Sequence, residues 1–185
     1  MKLRHMFAAM PLCVAALIAS AEVLPENSIY QLDNEWHTAT EQPFQLKQLQ
    51  GKRQVVAMIY THCHHACPVI VHSMKTLEKQ LTAEEKQSIG FTLISFTPET
   101  DTPEVLQAYA KQFDLGDNWT LLRGTDAQVR TFANVIGMKY KIQADGSVDH
   151  ASTLTLLDKN GVILATLRGV EDEVPTMLQT LRKAQ

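Results

Sequence analysis

The sequence predicts an α/β fold with a mixed central sheet flanked by helices, and three observations carry that expectation. Residues 54–61, QVVAMIYT, form an almost continuous β-branched and apolar run, which reads as a strand buried on both faces. Directly after Pro68 the period changes, and Ile70, Met74, Leu77 and Leu81 fall on one helical stripe. Near the C-terminus, residues 152–157 and 162–168 read as strands joined by Asp158-Lys159-Asn160-Gly161, a hairpin signal. Strands alternating with helices, then a hairpin and a closing helix, describe layered α/β architecture.

The remaining elements follow in order. Ser28-Ile29-Tyr30-Gln31-Leu32 reads as a short strand in an N-terminal extension, ended by the polar break Asp33-Asn34, and Phe44-Gln45-Leu46 as another. In the first turn of the helix that runs to about Leu81, Cys67-Pro68 places proline where it costs no hydrogen bond. Residues 91–96, FTLISF, form a second strand, and a second helix over 103–113 is capped by Asp101 or Thr102, with Pro103 early in the helix. Residues 119–122 form a short strand, 126–136 a helix, and 138–142 a further strand before the Asp145-Gly146 turn. Residues 171–183 close the chain as a helix. A cysteine pair between a buried strand and the next helix is the thioredoxin arrangement. It sets any chemistry at the carboxyl edge of a strand and the positive end of a helix.

The 185 residues suit one domain of globular composition, 45% hydrophobic and 20% charged. Residues 1–21 have the layout of a secretory signal: Lys2 and Arg4, an apolar run, then Ala19 and Ala21 before a cut at Glu22. An uncleaved membrane anchor is the rival, but Pro11 interrupts a run that must supply about 20 apolar residues to span a bilayer. The expected organisation is a signal segment at 1–21 and one domain at 22–185. Without the segment, 15 Lys and Arg face 20 Asp and Glu, a formal charge of −5. Such a surface excludes nucleic acid as a natural partner, since phosphate binding needs basic charge.

Cleavage would also remove Cys13, leaving Cys63 and Cys67 in the segment THCHHACP. An exported pair of this kind becomes a disulfide unless it is kept reduced or metallated. Two thiolates four residues apart on a helical turn can hold one metal ion or, with adjustment, form a disulfide. The helix N-terminus favours the thiolate required for either role. A structural zinc site commonly takes four protein ligands, and only one cysteine pair is present. Monovalent copper accepts fewer ligands and suits thiolate with imidazole. Adjacent His62, His64 and His65 cannot all converge on one ion. His72 reads as a helix-surface residue, His37 as a residue without a visible partner, and His150, just before a strand, as an ordinary loop histidine.

Four stretches resemble the Sco/SenC family of copper-binding, thioredoxin-like proteins that help to assemble cytochrome c oxidase. They are Thr61-x-Cys63-x-x-x-Cys67-Pro68, ISFTPETDTPEVLQAYAKQF from Ile94, NWTLLRGT from Asn118, and VDHASTLTLLDKNGVI from Val148. The resemblance runs from about Ser28 to the C-terminus and implies a copper site, for Cu(I) or Cu(II), formed by Cys63, Cys67 and His150. It implies a metallochaperone in the periplasm or another exported compartment, near or anchored to the membrane. Its partner would be the oxidase subunit with the dinuclear copper centre, or another copper chaperone. Alternatives are a thiol-disulfide oxidoreductase cycling Cys63 and Cys67, which is an enzymatic reading, and a copper-homeostasis protein without an oxidase client; peroxiredoxin-like chemistry ranks lower, because the usual proline and arginine environment of a peroxidatic cysteine is not recognisable around Cys63. The chain departs from the family pattern at Thr97, where relatives usually carry aspartate, and at the histidines flanking Cys63. The loop Asp149-His150-Ala151-Ser152-Thr153 lacks the proline that faces the cysteines of thioredoxin-type reductases, which favours metal binding over general disulfide exchange.

Overall fold

The computed structural model describes residues 23–63, 65–168 and 173–184. The expected signal segment at 1–21, and with it Cys13, lies outside the described residues.

Seven strands form the main sheet: β1 Glu35–Thr38, β2 Pro43–Gln45, β3 Arg53–Ile59, β4 Ile89–Ser95, β5 Trp119–Arg123, β8 Thr153–Leu157 and β9 Ile163–Arg168. Their order is β2-β1-β5-β4-β3-β8-β9. The central trio β5, β4 and β3 is parallel, and the outer pairings are antiparallel. The helices are α1 Ala66–Gln80, α2 Ala83–Ser88, α3 Pro103–Gln112, α4 Asp126–Val135 and α5 Val174–Lys183. Two further short strands, β6 Tyr140–Ile142 and β7 Val148–His150, make a separate hairpin around the Asp145-Gly146 turn.

β3 is buried at every position, and its alternation feeds two cores. Val55, Ala57 and Ile59 pack with α1, α3 and α5, whereas Val56 and Met58 pack with α4 and the N-terminal extension. Successive strand residues point to opposite faces, so a continuous apolar run is required when both faces are covered. Each of the Val, Ile and Met side chains contributes roughly 1.5–3 kcal/mol of burial. The central strand is thereby fixed in place, and its carboxyl end delivers the chain to Cys63.

Where sequence and structure differ, local hydrogen bonding explains it. Residues 29–31 form a 3-10 helix rather than part of a strand, because the Ser28 hydroxyl accepts from the Tyr30 N–H at 3.1 Å and caps the turn. β1 was not expected from Glu35-Trp36-His37-Thr38. Its anchor is Trp36, wholly buried edge-on against Phe132 with ring centroids 5.8 Å apart. α2 buries no residue, so it leaves no apolar periodicity. Its sequence signal is the capping box of Thr82 and Glu85. Of the two caps proposed for α3, Thr102 does the capping, accepting from the Val105 N–H.

Candidate metal centre

Cys63 and Cys67 sit where β3 gives way to α1. Both are free thiols, Cys67 fully buried and Cys63 nearly so. His65, the residue preceding α1, makes no side-chain cap. The sulfur of Cys63 takes that role by accepting from the Cys67 N–H at 3.3 Å. Burial pushes the Cys63 thiol up, but hydrogen bonds from the Cys67 and His65 backbone and from the Cys67 and Tyr60 side chains outweigh it. The pKa of Cys63 is therefore lowered. Burial dominates at Cys67 and drives its pKa well above the ordinary thiol value, with the neighbouring Cys63 and Asp101 adding to the rise.

His150 arrives from the separate hairpin, at the end of β7 opposite Tyr140. The Asp145-Gly146 turn makes this segment a strand where the sequence reading placed a loop. Its Nε2 lies 3.9 Å from Cys67 Sγ. On the other side of the ring, Nδ1 lies 3.0 Å from the Ala151 carbonyl oxygen. A carbonyl only accepts, so Nδ1 carries the proton and Nε2 turns its lone pair toward the thiol. Phe96 packs on the imidazole at 4.9 Å between centroids, and Tyr60 meets it edge-on at 6.4 Å. These two aromatic neighbours set the ring's direction and were not anticipated. Tyr60 is the last residue but one of the predicted strand 54–61, and Phe96 ends the second one.

The other described histidines remain apart from this trio. His62 is exposed, with its Nδ1 3.3 Å from the Thr61 hydroxyl. His65 is exposed, His72 lies edge-on to Phe113, and His37 sits 3.8 Å from Glu35. His64 lies outside the described residues. Among the described residues, no group of three or more His, Cys, Asp or Glu side chains is gathered closely enough to hold a metal ion as it stands. What the fold brings together is a thiol pair, Cys63 in the segment just before α1 and Cys67 in its first turn, and an imidazole aimed at the second thiol. Beside them, Tyr60, His62, Thr97, Thr100, Asp145, Gly146 and Ser147 line an open cleft of about 340 Å³.

Comparison with known proteins decides the family. The SCO1/SenC family description matches residues 25–185. This chain belongs to the SCO1/SenC family. It is 32% identical over 133 residues to the SCO1 protein homolog of Bacillus subtilis (strain 168), covering 69% of this chain and 67% of that one. Among solved structures it is similar to BsSco, a member of the Sco family of cytochrome c oxidase assembly proteins in which a disulfide switch was identified. That match has a TM-score of 0.71 at 26% identity, over 81% of this chain and 90% of the other. Arabidopsis thaliana ScoI with copper bound shares the fold, with a TM-score of 0.68 at 19% identity over 82% of this chain and 94% of that one.

 The thioredoxin-like fold expected from the sequence is borne out. Among the described residues no helix is long and apolar enough to cross a membrane.

Proposed function

We propose that this SCO1/SenC chain is an exported copper carrier that delivers the ion to the copper-bearing subunit of cytochrome c oxidase, with Cys63, Cys67 and His150 as its ligands. One observation carries the reading: an imidazole from the β6–β7 hairpin points its free nitrogen at Cys67 Sγ, 3.9 Å away, while the Cys67 N–H, in the first turn of α1, donates to the Cys63 sulfur at 3.3 Å. Two donors about 2.0 and 2.3 Å from one ion lie roughly 3.5–4 Å apart, so this spacing fits a shared ion. Two sulfurs and one imidazole also fit copper by softness: the thiolates suit Cu(I), and the imidazole suits both oxidation states. Copper is cargo here, taken up and passed on by ligand exchange. Copper bound to ScoI and the oxidase-assembly role of BsSco support the choice of ion and client. Export rests on the signal-like residues 1–21.

The unequal thiols favour a second reading, reduction of the client's cysteines before it receives metal. The Cys63 thiolate would attack a client disulfide, forming a mixed disulfide and releasing one client thiolate. Cys67 would then attack the Cys63 sulfur and release the second, leaving the client reduced by two electrons and Cys63–Cys67 oxidised.

Mixing the copper-loaded protein anaerobically with the reduced, metal-free soluble domain of the oxidase subunit separates the two. The carrier reading predicts that copper appears on the subunit. Failure to transfer, with rapid reduction of the subunit's disulfide form instead, would replace it with the reductase reading.

A further inference from the structure

Asp101 is a fully buried carboxylate in the loop between β4 and α3. Burying a charge is costly unless its hydrogen bonds are satisfied. Here Oδ1 accepts from the Thr61 N–H at 3.2 Å and the Thr61 hydroxyl at 2.6 Å, and Oδ2 accepts from the Ser95 hydroxyl at 2.6 Å. The Asp101 N–H donates to the Thr97 carbonyl at 2.9 Å, and the Ser95 hydroxyl also accepts from the Thr97 N–H at 3.0 Å. Asp101 is not needed as a helix cap, because Thr102 fills that position. Its carboxylate instead ties the end of β4 to the first residues beyond β3.

Thr61 lies between Tyr60 and the cysteine turn. The Cys63 N–H donates to the Tyr60 carbonyl at 3.2 Å, so the tethered residue sits inside the turn that places Cys63. Tyr60 in turn meets the His150 ring edge-on, with centroids 6.4 Å apart. One buried group therefore fixes the segment from which a thiol and a neighbour of the imidazole both project.

We propose that Asp101 is a positioning residue for the metal site: by holding the Thr61 N–H and hydroxyl, it keeps Cys63 in register with Cys67 and His150. This inference rests on the reading of those three residues as the copper site. A purely electrostatic role predicts the opposite outcome, since removing a negative charge near the thiols would ease their ionisation and tighten metal binding.

The test compares Asp101→Ala, Asp101→Asn, Thr61→Val and Thr61→Ser in the full chain, by anaerobic Cu(I) competition and by hydrogen exchange at the Thr61 amide. Positioning predicts that Asp101→Ala weakens Cu(I) binding roughly 10–100-fold, the range for groups that orient metal ligands. Thr61→Val weakens it in the same direction, Thr61→Ser restores it, and the Asp101→Ala/Thr61→Val pair is less than additive. The Thr61 amide loses protection in Asp101→Ala. Tighter binding in both Asp101 variants, or wild-type affinity in folded Asp101→Ala, would overturn the proposal. If Asp101→Ala does not fold, equal affinities for Thr61→Val and Thr61→Ser overturn it. Absence of Cu(I) binding by the wild type refutes the copper reading instead, and the exchange rate at Thr61 still reports whether the tether exists.

Discussion

Replacing His150 with alanine tests the part of the site that comes from farthest away in the chain. The imidazole reaches Cys67 Sγ across 3.9 Å from a hairpin that is separate from the main sheet. Its removal leaves the two sulfurs with none of the described imidazoles aimed at them. Loss of a direct ligand should cost at least the upper end of the range for outer-shell changes, roughly 100-fold in Cu(I) affinity, or about 2.7 kcal/mol. The fold should lose far less, because the ring is only partly buried and its aromatic contacts are those with Phe96 and Tyr60. Aromatic contacts of this kind contribute about 0.5–1.5 kcal/mol. Competition against a chromophoric Cu(I) chelator, alongside thermal unfolding of the metal-free protein, separates the two effects. An affinity within threefold of wild type would refute the assignment of His150, and a loss matched by gross unfolding would refute the claim that its role is local.

Three further predictions concern thiol order, acid stability and a turn. Iodoacetamide should label Cys63 at least tenfold faster than Cys67, because Cys67 is fully buried with a raised pKa and Cys63 is lowered; mass mapping of partly labelled protein checks the order. Arg182 hydrogen-bonds both carboxylate oxygens of Glu85, at 2.6 and 3.1 Å, and with the Thr82 N–H holds the Glu85 pKa at about 2. A depressed carboxylate stabilises the fold above its unfolded value and loses that contribution as pH falls toward 2. Glu85→Gln should therefore cost at most about 1 kcal/mol at pH 7 after solvent screening, and the gap from wild type in urea melts should close between pH 5 and 2. Gly161 has φ +80°, and a Cβ there would lie 2.6 Å from the ring of buried Tyr30. Gly161→Ala should destabilise by about 2–4 kcal/mol in the same melts, combining left-handed strain with overpacking, and a loss under 1 kcal/mol would contradict this.

The sequence made the central sheet legible because β3 and the stripe of α1 carry strong, distinct periods. It made the cysteine turn legible because Cys67-Pro68 marks a helix start. The short outer elements were less so: β1 depends on one tryptophan filling a long-range pocket against Phe132, and β7 depends on pairing with β6, neither of which is local. Asp101 was read as a possible cap because its partners, Thr61 and Ser95, are visible only once β3 and β4 lie side by side. His150 entered through resemblance to a family, and the hairpin supplies the physical reason for its orientation.

The central claim is a copper site made of two thiols and one imidazole. X-ray absorption at the copper edge, on reduced full-length protein loaded anaerobically with one equivalent of Cu(I), tests it most directly. The account predicts one ion per chain with two sulfur and one nitrogen neighbours, the nitrogen disappearing in His150→Ala. A copper environment without sulfur, or one unchanged by that substitution, would contradict it.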